Sequence, residues 1–309
     1  MIQYHYLDRV DYAEALRVQA ELVDLRTQGC IENTLLLLEH PPVLTLGRNA
    51  KRANILASDE LLAARGVTLH EINRGGDVTY HGPGQLIGYP IFDLRSLRNS
   101  KGGRLGPVDF VRLMEEALIR LCGEFGVRTG RICGLTGVWC GFPPGEPGEN
   151  FACDHQPVLS KERPPAGPAG ERKIAAIGIH VARGVTSHGF AFNVTTDLRD
   201  FNLINPCGIT DRPVTSLARE VADAQSLPGL EALAHRAARQ FSFVFDEQIL
   251  AIENLDALRA HAGSAERVSG GNENPGELPA REFPAEDAPL AVPQEIERLR
   301  GSKTRPVSA

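Results

Sequence analysis

The stretch Arg74–Gln85, with the sequence RGGDVTYHGPGQ, constrains the fold of this chain more than any other segment. Its twelve positions hold four glycines, one proline, one histidine and two charged residues. The stretch therefore has too many turn-forming residues for an ordinary strand and too few apolar residues for a core segment. Glycine permits positive φ and close approach of another backbone, so Gly75–Gly76 and Gly82–Gly84 predict two tight corners around a short extended piece, 77–81. Such corners leave N–H groups that can face a ligand, although a plain surface turn has the same composition.

The segments on either side favour a ligand site over a surface turn. Val67–Ile72 has a strand pattern and delivers the chain to Arg74, and Gln85–Leu94 is extended and apolar after it. The glycine-rich stretch is therefore predicted to hang between two strands at the edge of a sheet.

The rest of the chain predicts a mixture of helices and strands. Asp11, with Glu14 three residues later, is typical of a helix start, and Gly29 is predicted to end that helix. Further helices are predicted from Pro107 and over 215–222, 229–245 and 248–261, and strands over 33–40, 43–46, 136–139, 173–182 and 190–195, the last two forming a hairpin with 183–189 as its turn.

Two segments are predicted to lie outside the regular fold. Residues 141–170 contain seven prolines, which exclude regular structure, so this segment is predicted to be a flexible insertion. From 262 to 309 the chain is rich in Gly, Pro, Glu, Arg and Ser, and a disordered tail is expected. The organisation predicted is one domain over 1–261 with a tail over 262–309.

Composition excludes several classes of function. With 309 residues, 42% hydrophobic, and a net charge of −6, the chain fits a soluble globular protein and lacks the basic runs of a nucleic-acid binder. It has neither a signal-peptide start nor an apolar run of membrane-spanning length, so we expect no membrane partner and a cytoplasmic location.

The six cysteines are sparse and irregular, so no disulfide framework is predicted. Cys133, Cys140, Cys153 and His155 invite a zinc interpretation, but no CxxC pair is present and we predict no metal site.

Lys173 begins the alternating pattern KIAAIGIHVA. It shares strand parity with Ala175, Ile177, Ile179 and Val181, so its side chain is predicted to enter the same apolar layer as theirs. Burial lowers the pKa of a lysine, which would let Lys173 exchange protons near neutral pH. A lysine at a strand start also commonly extends to solvent, and spacing alone leaves both alternatives open.

Cys207 lies between Pro206 and Gly208, which places its thiol on a rigid turn that no other cysteine of this chain shares. A free thiol has a pKa of about 8.5, and a nearby cation can lower it to between about 3.5 and 7.5. Cys207 is therefore a possible nucleophile, although a turn cysteine can equally be structural.

Four motifs, RGGDVTYHGPGQ, KIAAIGI, SHGFAFNV and INPCGI, follow one another in an order that resembles the lipoyl(octanoyl) transferases. The resemblance covers roughly Leu35 to Ala222. It implies an α+β fold shared with biotin and lipoate protein ligases, a single domain in which a mixed sheet is packed by helices on one side in two layers. Members of this family are acyltransferases that move an octanoyl or lipoyl group from acyl carrier protein to a lysine of a lipoyl domain, the first step of endogenous protein lipoylation.

The resemblance also implies the roles of individual residues. Cys207 would be the acyl-thioester nucleophile, and Lys173 would lower the pKa of its thiol. The residues implied to line the substrate site are Arg74, Gly75, Gly76, Asp77, Val78, Thr79, Tyr80, His81, Ala176, Ile177, Gly178, Gly189, Phe190 and Ala191. Ile177, Phe190 and Phe192 are predicted walls of an acyl channel, and N–H groups at 76–79 or near Gly178 are possible oxyanion donors.

The implied partners are octanoyl-acyl carrier protein as donor, and as acceptors the lipoyl domains of 2-oxoacid dehydrogenase E2 subunits and of the glycine cleavage H protein. No cofactor is implied. The insertion between the TGVW strand and the Lys173 strand departs from the family pattern, since family members usually join these strands by a few residues, and no family role is transferred to it.

Two alternatives remain. An ATP-dependent lipoate or biotin protein ligase of the same fold needs no nucleophilic cysteine and typically carries three glycines with an Asp after the His, whereas here Gly82 follows His81. A non-catalytic module that docks lipoyl domains would not need Cys207 at all.

Overall fold

The computed structural model describes residues 1–99, 102–142, 170–205 and 212–259, and these fall within one compact unit. Their fold is α+β, as the resemblance implies. The described residues form eleven strands, β1 (Ile2–Arg9), β2 (Asn33–Glu39), β3 (Val43–Leu46), β4 (Thr68–Glu71), β5 (Val78–His81), β6 (Gln85–Ile91), β7 (Gly130–Ile132), β8 (Leu135–Cys140), β9 (Arg172–Ala182), β10 (Val185–Asn193) and β11 (Ile249–Ala251). They also form the α-helices α1 (Tyr12–Gln28), α2 (Asp59–Ala64), α3 (Pro107–Gly123), α4 (Leu217–Glu220) and α5 (Leu230–Phe245).

The strands make two sheets. The large sheet has the order β11-β1-β2-β6-β10-β9-β8-β7, in which β1 runs parallel to β11 and to β2 and the other neighbours are antiparallel. The small sheet has the order β4-β3-β5, with β3 parallel to β4 and antiparallel to β5. The extended part of the glycine-rich stretch is β5, so it belongs to the small sheet and not to the edge of the large one.

Helices cover both faces of the large sheet, which differs from the predicted packing on one side. All seven residues of β2 are buried. Leu35 and Leu37 belong to the core that packs against α3 and α5, whereas Leu36 and Leu38 pack against α1. A strand that is apolar on both faces needs both of them covered, and the run NTLLLLE satisfies that requirement.

Local signals placed several elements correctly. The Asp11 carboxylate accepts hydrogen bonds from the N–H groups of Ala13 and Glu14 at the start of α1, and Gly29 ends the helix with φ of 78°. The β9–β10 hairpin is confirmed, but its turn is only Arg183–Gly184, both at positive φ. Two residues at positive φ match the twist of the flanking strands, so β10 begins earlier than the glycine at position 189 suggested.

One end of the large sheet was the least predictable. The helix predicted over 248–261 is wrong for Ile249–Ala251, which form β11 by pairing with Ile2–Tyr4 of β1. The strand β1 itself was not predicted from its mixed polar pattern. Strand β11 has only three residues, and pairing with a distant strand outweighs its local preference.

Candidate active site

Two adjoining cavities lie between the small sheet and strands β6, β9 and β10. The first, here called the histidine cavity, encloses about 490 Å³ of empty space including space open to solvent, and is lined by Tyr12, Arg74, Gly75, Gly76, Thr79, His81, Ile87, Tyr89, Ala176, Ile177, Gly178, His188, Gly189, Phe190 and Ala191. The second, the lysine cavity, encloses about 430 Å³ on the same measure, and is lined by Thr79, Gln85, Trp139, Lys173, Ala176, Ala191, Asn193, Phe201, Arg212 and Val214.

The first glycine corner forms one wall of the histidine cavity by packing directly on β9. The N–H of Gly75 donates to the carbonyl of Ile179 at 3.0 Å, and Gly76 adopts φ of 89°, a region that favours glycine. A Cβ added to Gly178 would lie 2.7 Å from the carbonyl oxygen of Gly75. Two glycines facing each other thus allow the corner and the strand to approach closely.

Arg74 holds this corner in place from below. Its buried guanidinium donates to the carbonyl and hydroxyl oxygens of Thr45 on β3, each at 2.8 Å, and to the carbonyl oxygen of Gly75 at 2.9 Å. A charged group that donates to several buried oxygens makes strong, directional bonds. The first residue of the stretch therefore fixes the backbone that follows it.

Alternation along β5 divides the predicted substrate-binding residues. Thr79 and His81 line the histidine cavity, whereas Val78 and Tyr80 point into a separate small core, where the Tyr80 hydroxyl donates to Asp200 at 2.8 Å. Asp77 turns outward and accepts hydrogen bonds from Asn54 and the N–H of Val78. Eleven of the fourteen predicted residues line the cavity, and Asp77, Val78 and Tyr80 do not. The N–H of Val78 is also occupied, so it is not a free oxyanion donor.

The predicted acyl walls divide in the same way. Ile177 and Phe190 line the histidine cavity. Phe192 is fully buried in the main core and lies on neither cavity.

A bulge in β9 decides where Lys173 points. Val138 and Trp139 are consecutive in β8, but they pair with Ala175 and Lys173 of β9, which are two positions apart. Ile174 is therefore the extra residue of the bulge. Ala175 and Ile174 face the main core, while Lys173 lines the lysine cavity with its ammonium nitrogen 4.6 Å from the centre of the Trp139 ring. The prediction that Lys173 shares the layer of Ala175 is wrong, because one extra residue reverses the alternation.

The backbone of Lys173 is tied to the segment that follows residues 206–211. Its N–H donates to the carbonyl of Pro213 at 2.9 Å, and its carbonyl accepts from the N–H of Thr215 at 2.8 Å. Arg212 also lines the lysine cavity; its side chain is 1% exposed and its Nε donates to Glu171 at 2.7 Å. The residue next to Lys173 in β9, Arg172, donates from Nε and Nη2, one edge of its guanidinium, to the two carboxylate oxygens of Glu220 at 2.8 and 2.9 Å.

A chain of buried polar side chains links the two cavities. His81 shares a hydrogen bond with the side-chain oxygen of Gln85, Oε1, at 2.8 Å, and the side-chain nitrogen of Gln85, Nε2, donates to the side-chain oxygen of Asn193 at 2.8 Å. Asn193 in turn donates to the carbonyl of Thr215 at 2.9 Å, and Thr215 bonds to the backbone of Lys173. Each side chain in this chain supplies a hydrogen-bond partner to the next one. The network therefore fixes the position of the end of the glycine-rich stretch relative to the strand of Lys173.

Burial keeps the ionisable groups around the histidine cavity neutral. It lowers the pKa of His81 to about 3, with a smaller contribution from His40, and the pKa of His188 to about 4, with a smaller contribution from Arg74. It likewise lowers the pKa of His40 to about 4 and raises the pKa values of Tyr12 and Tyr89. Near pH 7 this cavity therefore presents neutral rings and one guanidinium, Arg74.

None of the four cysteines that the structure describes lines either cavity. Cys122 is a core residue, as predicted, and burial raises the pKa of its thiol to about 12. Burial also raises the pKa of Cys140 well above its ordinary value. Cys207, the predicted nucleophile, lies outside the described residues, as does Cys153.

Within the described ranges, no group of three His, Cys, Asp or Glu side chains is placed to hold a metal ion. His155, considered above with the cysteines, falls in 143–169, which the structure does not describe. No helix among the described residues combines the length and the apolar content needed to cross a bilayer.

Sequence reasoning missed several lining residues. Tyr12 lies in helix α1, Tyr89 in β6 and His188 in β10, and none of the three was singled out from the sequence. Trp139 and Arg212 reach the lysine cavity only through the register of β8 and through the segment after 211. A signal was present for His188, because a histidine directly before a glycine inside a strand pattern suggests irregular backbone, and here its φ is 57°.

Comparison with known proteins adds to this geometry. The family described as the lipoyl protein ligase A/B catalytic domain matches residues 11–242. An octanoyltransferase of Acidobacterium capsulatum is 58% identical over 250 residues, which cover 81% of this chain and 92% of that protein, and one of Koribacter versatilis is 51% identical over 258 residues, covering 84% and 90%. Among solved structures, a bipartite lipoate protein ligase from Thermoplasma acidophilum superposes with a TM-score of 0.54 at 15% identity, covering 85% of this chain and 90% of that one. At that identity the likeness shows the fold alone.

Proposed function

The chain belongs to the lipoyl protein ligase A/B catalytic domain family and transfers octanoyl groups in protein lipoylation, and we propose that it does so in two steps through a thioester on Cys207. One observation supports this assignment most. Phe201, before the segment 206–211, and Arg212 and Val214, after it, line the same cavity as Lys173. The chain on both sides of Cys207 thus borders the cavity of the proposed activating lysine.

In the first step the Cys207 thiolate attacks the carbonyl carbon of an acyl thioester borne by acyl carrier protein. The tetrahedral intermediate expels the carrier thiolate, which takes up a proton, and the octanoyl group remains on Cys207. Exchange of one thioester for another is nearly isoenergetic, so the acyl group is stored without ATP. The ammonium of Lys173 would favour the thiolate of Cys207 by its charge.

In the second step the lysine amine of a lipoyl domain attacks the Cys207 thioester. Only the uncharged amine is nucleophilic, so a base must take its proton, and Lys173 in its neutral form is the base we assign. The amide forms, and Cys207 leaves as the thiolate that begins the next cycle. Acceptor lipoyl domains of 2-oxoacid dehydrogenase E2 subunits and of the glycine cleavage H protein fit this chemistry.

The histidine cavity would hold the octanoyl chain. Thr79, Ala176 and Ala191 line both cavities, so the histidine cavity directly adjoins an acyl group held beside Lys173. Ile177 and Phe190 supply apolar surface in the histidine cavity. The neutral state of His81 and His188 favours an uncharged chain there, because neither imidazole carries a charge that an alkyl chain would desolvate.

The test is to incubate the protein with octanoyl carrier protein, without ATP, and to measure the mass of the protein by mass spectrometry. We expect one octanoyl adduct that hydroxylamine removes, and no such adduct on Cys207→Ser. Cys30→Ser and Cys133→Ser are matched controls that should keep the adduct. A hydroxylamine-labile adduct that persists on Cys207→Ser contradicts the nucleophile assignment, and octanoylation of the acceptor that requires octanoic acid and ATP would favour the ligase alternative.

A further inference from the structure

The lysine cavity contains the chain's single tryptophan, Trp139. Its side chain is fully buried on β8, and the ammonium nitrogen of Lys173 lies 4.6 Å from the centre of its ring. The two residues are direct cross-strand partners in the sheet. None of the roles assigned above uses this contact.

The β9 bulge creates the contact. Regular alternation would place Lys173 on the side of Ala175, in the main core, and the extra residue Ile174 moves it to the side of Trp139 instead. The ring itself is fixed, because it packs in a separate apolar cluster with Ile132 and with the partly buried Leu135 and Phe142. A fixed ring therefore meets a long side chain that could otherwise adopt many rotamers.

An aromatic face attracts an ammonium more strongly than a neutral amine, because the ring quadrupole is negative above its plane. The ring therefore favours the charged form of Lys173, whereas burial and the nearby guanidinium of Arg212 favour the neutral form. Glu171, bonded to Arg212, offsets part of that positive charge. The other described residues that line the cavity, from β5, β6, β9, β10 and the 201 and 214 segments, carry no charge.

We propose that Trp139 is a positioning residue, whose ring holds the ammonium of Lys173 against the cavity wall and favours its charged form. The inference rests on the proposed function only where it assigns Lys173 to the activation of Cys207. The contact itself can be tested without turnover.

The first test uses the fluorescence of Trp139, which no other tryptophan obscures. An ammonium close to the indole changes its emission, so titration from pH 6 to pH 11 should show a transition that is absent in Lys173→Met. The comparison is made in a Cys207→Ala background, because Lys173→Met is expected to change the ionisation of that thiol, and the tyrosines are the same in both proteins. Superposable curves would overturn the proposed contact, and the transition should persist in Cys207→Ala whether or not a thioester forms.

The second test separates positioning from simple packing. Trp139→Phe keeps an aromatic face, and we expect its kcat/KM to stay within about 3-fold of the native value with the same pH profile. Trp139→Leu removes the aromatic face, and we expect the maximum kcat/KM to fall about 10-fold. We also expect a narrower bell-shaped pH profile of kcat/KM, because its acid limb moves to higher pH and its basic limb to lower pH. If Trp139→Leu folds by circular dichroism and its profile keeps the native width, the positioning role is wrong. If it does not fold, an acid limb of Trp139→Phe at a pH as high as that of Lys173→Met would overturn the role.

Discussion

The histidine cavity and the lysine cavity share Thr79, Ala176 and Ala191 as a common wall, yet their ionisable side chains differ, because the first sets neutral rings beside a single guanidinium, Arg74. Around the first, burial holds His81 and His188 neutral far below physiological pH. The second contains Lys173 and the Arg212–Glu171 ion pair. One wall therefore separates a space suited to an alkyl chain from a space suited to proton transfer.

This difference would let a single enzyme bind an apolar group beside the proposed Cys207 nucleophile. Desolvation is the largest cause that keeps the histidines of the first cavity neutral near pH 7. In the second, an aromatic ring faces Lys173 and a carboxylate pairs with Arg212, and such partners offset the cost of burying charge. The predictions that follow test whether this division holds.

The largest effect on kcat/KM is expected from removing the Lys173 side-chain amine from the lysine cavity. We expect Lys173→Met to lower kcat/KM by about 10²- to 10⁴-fold, because it removes both the cation beside the thiol and the proposed base. The alkylation rate of Cys207 by iodoacetamide, followed against pH, should shift to higher pH. Lys51→Met, at an exposed lysine, is the matched control and should behave as native. An unchanged alkylation curve for Lys173→Met would remove its activating role.

The histidine cavity should instead govern acid stability. Because the folded-state pKa values of His40, His81 and His188 lie below the ordinary 6.5, the stability they contribute is complete above about pH 6.5 and is lost as the pH falls toward 4. We expect the free energy of unfolding in urea to fall by about 1 to 2 kcal/mol per histidine between pH 7 and pH 5.

The control for this measurement is His235→Asn, at a half-exposed histidine, which should keep the native pH dependence. His81→Asn should make the dependence shallower. Equal stability of the native protein at pH 5 and pH 7 would show that these histidines are not held neutral by the fold.

A smaller effect on kcat/KM is expected from adding a side chain where the glycine corner contacts β9. Gly178→Ala would place a Cβ 2.7 Å from the carbonyl oxygen of Gly75, so the corner must shift away from the histidine cavity. We expect kcat/KM for the octanoyl donor to fall about 10-fold, equivalent to roughly 1.4 kcal/mol of strain and misplacement.

Gly123→Ala serves as the comparison, because an added Cβ there meets no atom within 4 Å. It should leave turnover unchanged and raise stability slightly. Native kcat/KM in Gly178→Ala would mean that the corner tolerates displacement and does not bound the substrate.

The smallest effect on activity is predicted for residues 143–169, to which no family role is transferred. Gly141 and Gly170 approach closely, since a Cβ added to Gly141 would lie 2.9 Å from the carbonyl oxygen of Gly170. Replacing 143–169 by a short glycine-serine linker should therefore close the chain without strain and leave kcat within about 2-fold, as expected for a tolerated loop change. Complete loss of activity in a folded deletion variant would show that the insertion takes part in the reaction.

Much of the fold and of the site followed from local sequence signals. Capping at Asp11, the strand pattern of 33–39 and the glycines around Arg74 each act over a few residues, so they can be read without knowing the rest of the molecule. The first corner indeed lines a cavity, and eleven residues named from the motifs lie together there. Strand β11 and its neighbour β1 escaped prediction, because β11 has three residues and forms only against the distant β1, and β1 has a mixed polar pattern.

The sequence by itself determined that this chain carries two glycine corners, an alternating strand that begins at Lys173, and the ordered motifs of an octanoyltransferase. Only the tertiary structure decided which face of that strand Lys173 occupies, and that Trp139 and Arg212 meet it there. The physical reason is the range of the interactions. Turns and caps arise from the φ angles and hydrogen bonds of neighbouring residues, whereas a bulge depends on the strand across from it, and one unpaired residue reverses every side chain that follows.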